Sequence, residues 1–183
     1  MNNSREIKAL LFITGFVSSS IQFLMLREIV CLCGGSEFTT GLYLSLWLVL
    51  SSFGTWFAGK GKAGNIRLTL LLLVSAPLLT LTLFIILSGT ITGEGEIPSL
   101  LQTLLLILVS LAPTAVISSV AFIRLSNIRK MNGSAEPGIS FGLETTGSVV
   151  AGIISALTVI LLLNTFLFFL ITELVAILIV LLI

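Results

Sequence analysis

The stretch 68–89, LTLLLLVSAPLLTLTLFIILSG, contains no charged side chain. As a helix rising roughly 1.5 Å per residue it is about 33 Å long, enough to cross the ~30 Å hydrocarbon core of a bilayer. Its apolar residues do not alternate with period two, which excludes a transmembrane β-barrel strand. Five further stretches have the same character: 9–33, 38–59, 99–123, 139–163 and 165–183. The sequence therefore predicts an all-α, polytopic membrane protein with six transmembrane helices in a single domain, 1–183.

The charges on the connections set an orientation. Eight of the nine Lys and Arg residues fall in every second connection: Arg5 and Lys8, then Lys60, Lys62 and Arg67, then Arg124, Arg129 and Lys130. The connections between carry Glu37, and Glu94 with Glu96, and no basic residue. Basic loops are retained on the cytoplasmic face. The expected topology has both termini cytoplasmic, in what is expected to be a prokaryotic inner membrane.

Composition agrees. The chain is 56% hydrophobic, only 9% charged, and has a mean hydropathy of +1.21. Soluble domains carry roughly 25% charged residues. A net charge of +1 argues against nucleic acid as a partner. There is no His and no Asp; all eight acidic residues are Glu. The commonest proton shuttle and metal ligand is thus missing. Cys31 and Cys33 form a C-x-C that supplies only two ligands, fewer than tetrahedral zinc needs, and they read as small helix residues. No metal, cofactor or catalytic residue is expected. The N-terminal Arg5, Lys8 and following apolar run resemble a signal peptide without a small-x-small cleavage site, so the run is expected to remain as the first helix. The chain stops within apolar sequence at Leu181-Leu182-Ile183, as an unusual terminus or as the membrane part of something larger.

Ionisable residues inside spans are costly and mark sites by default. Arg27-Glu28, near the far end of helix one, is either a site in a cleft or an interfacial anchor. Glu173 lies roughly 13 Å into helix six, with no adjacent cation. It must pair with another helix, face water or carry a proton. Gln22 and Arg27, at comparable depth on helix one, are its candidate partners. Glu144, near the start of helix five, is expected to cap the helix or pair with the basic segment 124–130. Helix five also carries Gly138, Gly142, Gly147, Ala151, Gly152 and Ser155, with small residues at four-residue steps that let helices approach closely. It is therefore expected to be the central helix. Pro77 and Pro113 are expected to bend helices three and four.

Glu37-Phe38-Thr39-Thr40-Gly41 is expected to open helix two, and Glu144-Thr145-Thr146-Gly147 to open helix five. The shared Thr-Thr-Gly is short enough to arise by chance. Its placement, at the start of the middle helix of each three-helix set, has the form of an inverted 3+3 repeat, as in half of a major-facilitator transporter.

Two stretches carry a family resemblance. Gly15-Phe16-Val17 with Leu26-Arg27-Glu28-Ile29-Val30 and Gly34-Gly35-Ser36 resembles the first helix and turn of the membrane domains of spermidine-synthase-like proteins. The segment Phe141-Gly142-Leu143-Glu144-Thr145-Thr146-Gly147-Ser148, with Gly152, resembles a later helix of the same family. The resemblance implies a six-helix membrane domain attached to a cytoplasmic aminopropyltransferase. This chain has no Asp and no soluble domain, so no catalytic residue carries over; only Glu28 and Glu144 match. The expected function is a non-catalytic six-span module that anchors or serves a partner subunit or a spermidine-synthase-like enzyme domain. The alternative is a small transporter, for polyamines or another small solute, working as a homodimer. A membrane-embedded enzyme is the weakest reading.

Overall fold

In the computed structural model of the chain, residues 4–60, 65–91, 97–131, 137–161 and 164–182 are described. Among them there are six α-helices and no strand: α1 (Ser4–Leu32), α2 (Glu37–Lys60), α3 (Ile66–Ile91), α4 (Leu100–Met131), α5 (Pro137–Ile160) and α6 (Thr165–Leu182). Helices α1 to α5 are long and apolar enough to cross a membrane, which marks a multi-pass integral membrane protein. In α6 the described apolar run is shorter, Phe169–Leu178. Lys62, Glu94, Glu96, Asn132-Gly133 and Ile183 lie outside the described residues.

Local chemistry sets the helix ends. Asn65 caps α3, its Oδ1 accepting from the Arg67 N–H at 3.0 Å. Ser99 and Gln102 form a reciprocal capping box before α4: the Ser99 N–H donates to Gln102 Oε1 at 2.8 Å, and the Gln102 N–H to Ser99 Oγ at 3.5 Å. Pro137 opens α5 where its missing N–H is not needed. Gly34 and Gly35 stop α1 with φ of 72° and 78°, a left-handed backbone suited to glycine.

Helix α4 extends eight residues past the expected end at Ile123. Arg124, Arg129 and Lys130 therefore stand on its last two turns and not on a loop. The helix can continue because these side chains find partners: Arg124 Nη1 donates to Thr69 Oγ1 of α3, and Arg129 Nη1 to Ser140 Oγ of α5 at 3.1 Å.

The central helix is α1, which touches the other five. Two thirds of its span (67%) is buried, against 22% for α5, so the expectation of a central α5 is corrected. The small residues of α5 form a one-sided stripe, whereas α1 buries residues around its circumference. The closest pairs are α1 with α5, α2 with α4, and α3 with α4, while α6 lies against α1 and α3.

Two apolar clusters fill the bundle. Near the glycine turn, Ile21, Met25 and Ile29 of α1 pack with Tyr43, Ile107, Leu111 and Phe169. At the opposite end, Ile7, Leu10 and Leu11 pack with Leu70, Leu73, Ala121 and Leu125. This second end is the basic one, since α1 and α3 begin there and α2 and α4 finish there, bringing Arg5, Lys8, Lys60, Arg67, Arg124, Arg129 and Lys130 together. Between the clusters four helices contribute buried polar groups: Thr14 and Ser18 on α1, Thr80 on α3, Thr114 and Ser118 on α4, and Glu173 on α6.

Candidate functional site

Glu173 is 2% exposed, the most buried carboxyl among the described residues. Its position follows from helix periodicity. Phe169, Glu173, Ala176 and Val180 recur at four- and three-residue steps, so they share one face of α6. Phe169 packs with Ile21 and Met25 of α1, Ala176 with Ile13 and Val17, and Val180 on the cluster of Ile7 and Leu70. Glu173 is thus level with Val17 to Ile21, in the hydroxyl belt. Its Oε1 is buried and has no hydrogen-bond partner. Isolated buried charge is among the costliest features a protein can carry.

The belt around it is rich in acceptors. Thr14 Oγ1 donates to the Leu10 carbonyl at 2.8 Å, Ser18 Oγ to the Gly15 carbonyl at 3.3 Å, and Ser118 Oγ to the Ala115 carbonyl at 3.3 Å. Thr80 and Thr114 hydrogen-bond each other at 2.7 Å, one turn or less from Pro77 and Pro113. Thr14, Ser18 and Ser118 spend their hydrogens on backbone carbonyls, the Thr80–Thr114 bond uses one hydrogen of that pair, and all of these oxygens keep lone pairs.

Neither residue suggested as a partner of Glu173 hydrogen-bonds its Oε1. Arg27 and Glu28 are exposed, and Arg27 is nine residues, or about 13 Å of helix rise, from the Ser18 level. Arg27 instead lines a groove of about 460 Å³ with Phe23, Leu26 and Val30 of α1, Thr40 of α2, and Gly152, Ser155, Ala156 and Val159 of α5. Gln22 is half-buried, and its backbone carbonyl, not its amide, accepts the Tyr43 hydroxyl at 2.9 Å.

Glu144 does not cap α5. The helix begins at Pro137, placing Glu144 two turns inside, beyond the reach of the terminal dipole. It is half-buried at the crossing of α1 and α5, with its backbone against Gly15: a Cβ on Gly15 would lie 2.0 Å from the Glu144 carbonyl oxygen. Across the same crossing, a Cβ on Gly147 would lie 2.1 Å from the Phe12 carbonyl oxygen, and Ser148 Oγ donates to the Gly15 carbonyl at 3.3 Å. Ala151 and Ser155 continue this buried face, and a Cβ on Gly152 would lie 3.2 Å from the Phe23 ring. Gly138 and Gly142 lie on the open side of α5, where a Cβ would meet nothing within 4 Å. The buried stripe reaches the basic end through Ser140 instead. The Thr-Thr-Gly echo also falls in unlike surroundings: Gly147 is at the crossing, whereas Gly41 is exposed with open space around it.

Sequence reading missed Arg129. It is 5% exposed, bonded to Ser140, and its Nε is buried without a partner. Its place in a basic segment looked like a loop charge, and only the extension of α4 under α5 buries it. The hydroxyl belt was equally hidden, because single Ser and Thr residues scattered through apolar helices look alike whether inward or outward. Cys33 is buried with Sγ 3.7 Å from Thr103 Oγ1 while Cys31 is exposed, so the C-x-C points in two directions. No group of three metal-ligating side chains occurs among the described residues. Comparison with known proteins finds no matching family, no similar curated protein and no similar solved structure.

Proposed function

We propose that the chain is a six-span, non-catalytic membrane module with the inverted 3+3 architecture of half a facilitator fold. Its basic end and both termini face the cytoplasm, where it anchors or serves a partner subunit or a spermidine-synthase-like enzyme domain. The observation that carries this reading is the exchange of helix partners. If α1, α2 and α3 correspond to α4, α5 and α6, then the α1–α5 pair corresponds to α4–α2, and the α4–α3 pair to α1–α6. All four pairs are in contact, and the first two are the closest in the molecule. Inverted repeats produce such an exchange. The collection of basic side chains at one end supports the orientation.

The family-like stretches support the partner class. Gly15 and Phe16 of the first stretch meet Glu144, Gly147 and Ser148 of the second at one helix crossing. The two motifs are therefore halves of one structural feature.

The test is purification from mild detergent, with labelling of single cysteines introduced at Ser99 and Lys130 in a background lacking Cys31 and Cys33. The expected result is labelling of the two sites from opposite faces and a stoichiometric partner carrying an aminopropyltransferase-like domain. A lone, monodisperse chain would overturn the partner assignment, and labelling of both sites from one face would overturn the topology. A second reading, a small transporter completed by dimerisation, is favoured by the buried Glu173, and solute uptake by reconstituted vesicles tests it.

A further inference from the structure

We propose that Glu173 is an exchangeable proton-binding site at the centre of the bundle, with the hydroxyl belt as its hydrogen-bonding surroundings. The proposal does not depend on whether the module anchors a partner or carries a solute. It rests on three observations. Glu173 is 2% exposed on the face of α6 that packs against α1. Its Oε1 is buried and unpartnered. Of the hydroxyls near its level, those of Thr14, Ser18 and Ser20 donate to backbone carbonyls of their own helix, and the Thr80–Thr114 bond takes up one of that pair's two hydrogens.

Donor and acceptor chemistry then selects the ligand. A carboxylate accepts only, and needs donors or a cation. The helices packed against α6 offer no cation at this level. On α1, the charged residues Arg5, Glu6 and Lys8 lie at the basic end, and Arg27 and Glu28 lie at the other end. Arg67, the only charge on α3 among the described residues, stands in the first turn of that helix. The one charge on α5, Glu144, is itself a carboxylate at the α1 crossing. A carboxylic acid, by contrast, carries an O–H that donates to a hydroxyl oxygen. No group of three His, Cys, Asp or Glu side chains that could hold a metal ion includes Glu173 among the described residues. In the exchange, water delivers a proton, one O–H bond forms on Glu173, and the same bond breaks when the proton returns to water.

Space for exchange lies beside the site. A cavity of about 330 Å³ opens between α1, α5 and α6, lined by Phe12, Phe16, Ile154, Ile171 and Val175, and reaches the Glu173 helix face at Ala176. Its apolar lining suits a hydrophobic reagent.

The experiment is labelling of the intact detergent-solubilised protein with a hydrophobic carbodiimide, which adds to protonated carboxyls, followed by peptide mass mapping over a pH series. The expected result is modification of Glu173, falling to background as pH rises, with no modification at exposed Glu28 or Glu37. Infrared difference spectra provide a second measurement. A protonated-carboxyl band that disappears at high pH should be lost completely in Glu173→Gln and retained in Glu144→Gln. Absence of Glu173 labelling at every pH, or labelling that does not vary with pH, would overturn the proposal. So would a titrating band that survives Glu173→Gln. Neither readout depends on a partner, so failure here is separable from failure of the module reading.

Discussion

The α1–α5 crossing can be tested by a single methyl group. In Gly147→Ala the new Cβ would lie 2.1 Å from the Phe12 carbonyl oxygen and 3.0 Å from the Phe16 nitrogen. Ordinary van der Waals contact begins at 3.4 Å, so the two backbones must separate by 3.4 − 2.1 = 1.3 Å. Both obstacles are backbone atoms, which cannot rotate aside as a flexible side chain would. Overpacking of this kind costs about 1–3 kcal/mol. The separation would also stretch the Ser148–Gly15 hydrogen bond from 3.3 Å beyond bonding distance. Gly142→Ala is the control, because it makes the same change on the same helix into open space. There the helix preference for alanine should act alone, stabilising by up to about 1 kcal/mol. The two variants should therefore differ in sign. The assay is equilibrium unfolding in mixed detergent micelles, followed by far-ultraviolet circular dichroism. Equal midpoints for Gly147→Ala and Gly142→Ala would refute the close crossing.

Related substitutions follow the same logic elsewhere. Gly54→Ala should destabilise the α2–α4 pair, since its Cβ would lie 2.6 Å from the Val116 carbonyl oxygen, while Gly59→Ala, in open space, should not. The same unfolding assay compares them. A double-mutant cycle of Thr80→Val and Thr114→Val should give a coupling of about 0.6 kcal/mol, typical of interhelical hydrogen bonds in membranes. Ser140→Ala leaves the buried Arg129 guanidinium with a further unmatched donor and should cost about 1–3 kcal/mol by thermal unfolding. Tyr43→Phe removes the bond to the Gln22 carbonyl and should cost about 0.5–1.5 kcal/mol, with helix content unchanged.

Residue by residue, the sequence and the structure divide by physical cause. Helix α3 was legible because an uncharged run longer than a bilayer is thick admits few alternatives. Asn65 and Ser99 mark their helix starts by side-chain chemistry that acts within three residues. Gly147, Ala151 and Ser155 were legible as one face because helical periodicity is local. The same rule selected Gly138 and Gly142, which meet no neighbour here, because periodicity says which residues share a face and not which face is covered. Glu173 stood out as an ionisable group in an apolar helix. Its surroundings could not be read, since Ser18, Thr80 and Thr114 are separated from it by many residues and come level with it only through packing. Arg129 was hidden for the opposite reason: a basic residue near the end of a span looks solvated until a neighbouring helix covers it.

The sequence alone determined that this is a helical, multi-pass membrane protein with clustered basic residues and one deeply placed carboxyl. Those properties depend on length, hydropathy and charge, which are additive along the chain. Tertiary structure decided that α1 and not α5 is central, that α5 pairs with α1 and α2 with α4, and that Glu173 sits apart from Arg27 in a belt of hydroxyls. Those outcomes depend on which faces meet. In a membrane, where apolar surface is satisfied by lipid and by protein alike, the meeting of faces is set by close approach of small residues and by hydrogen bonds between distant positions.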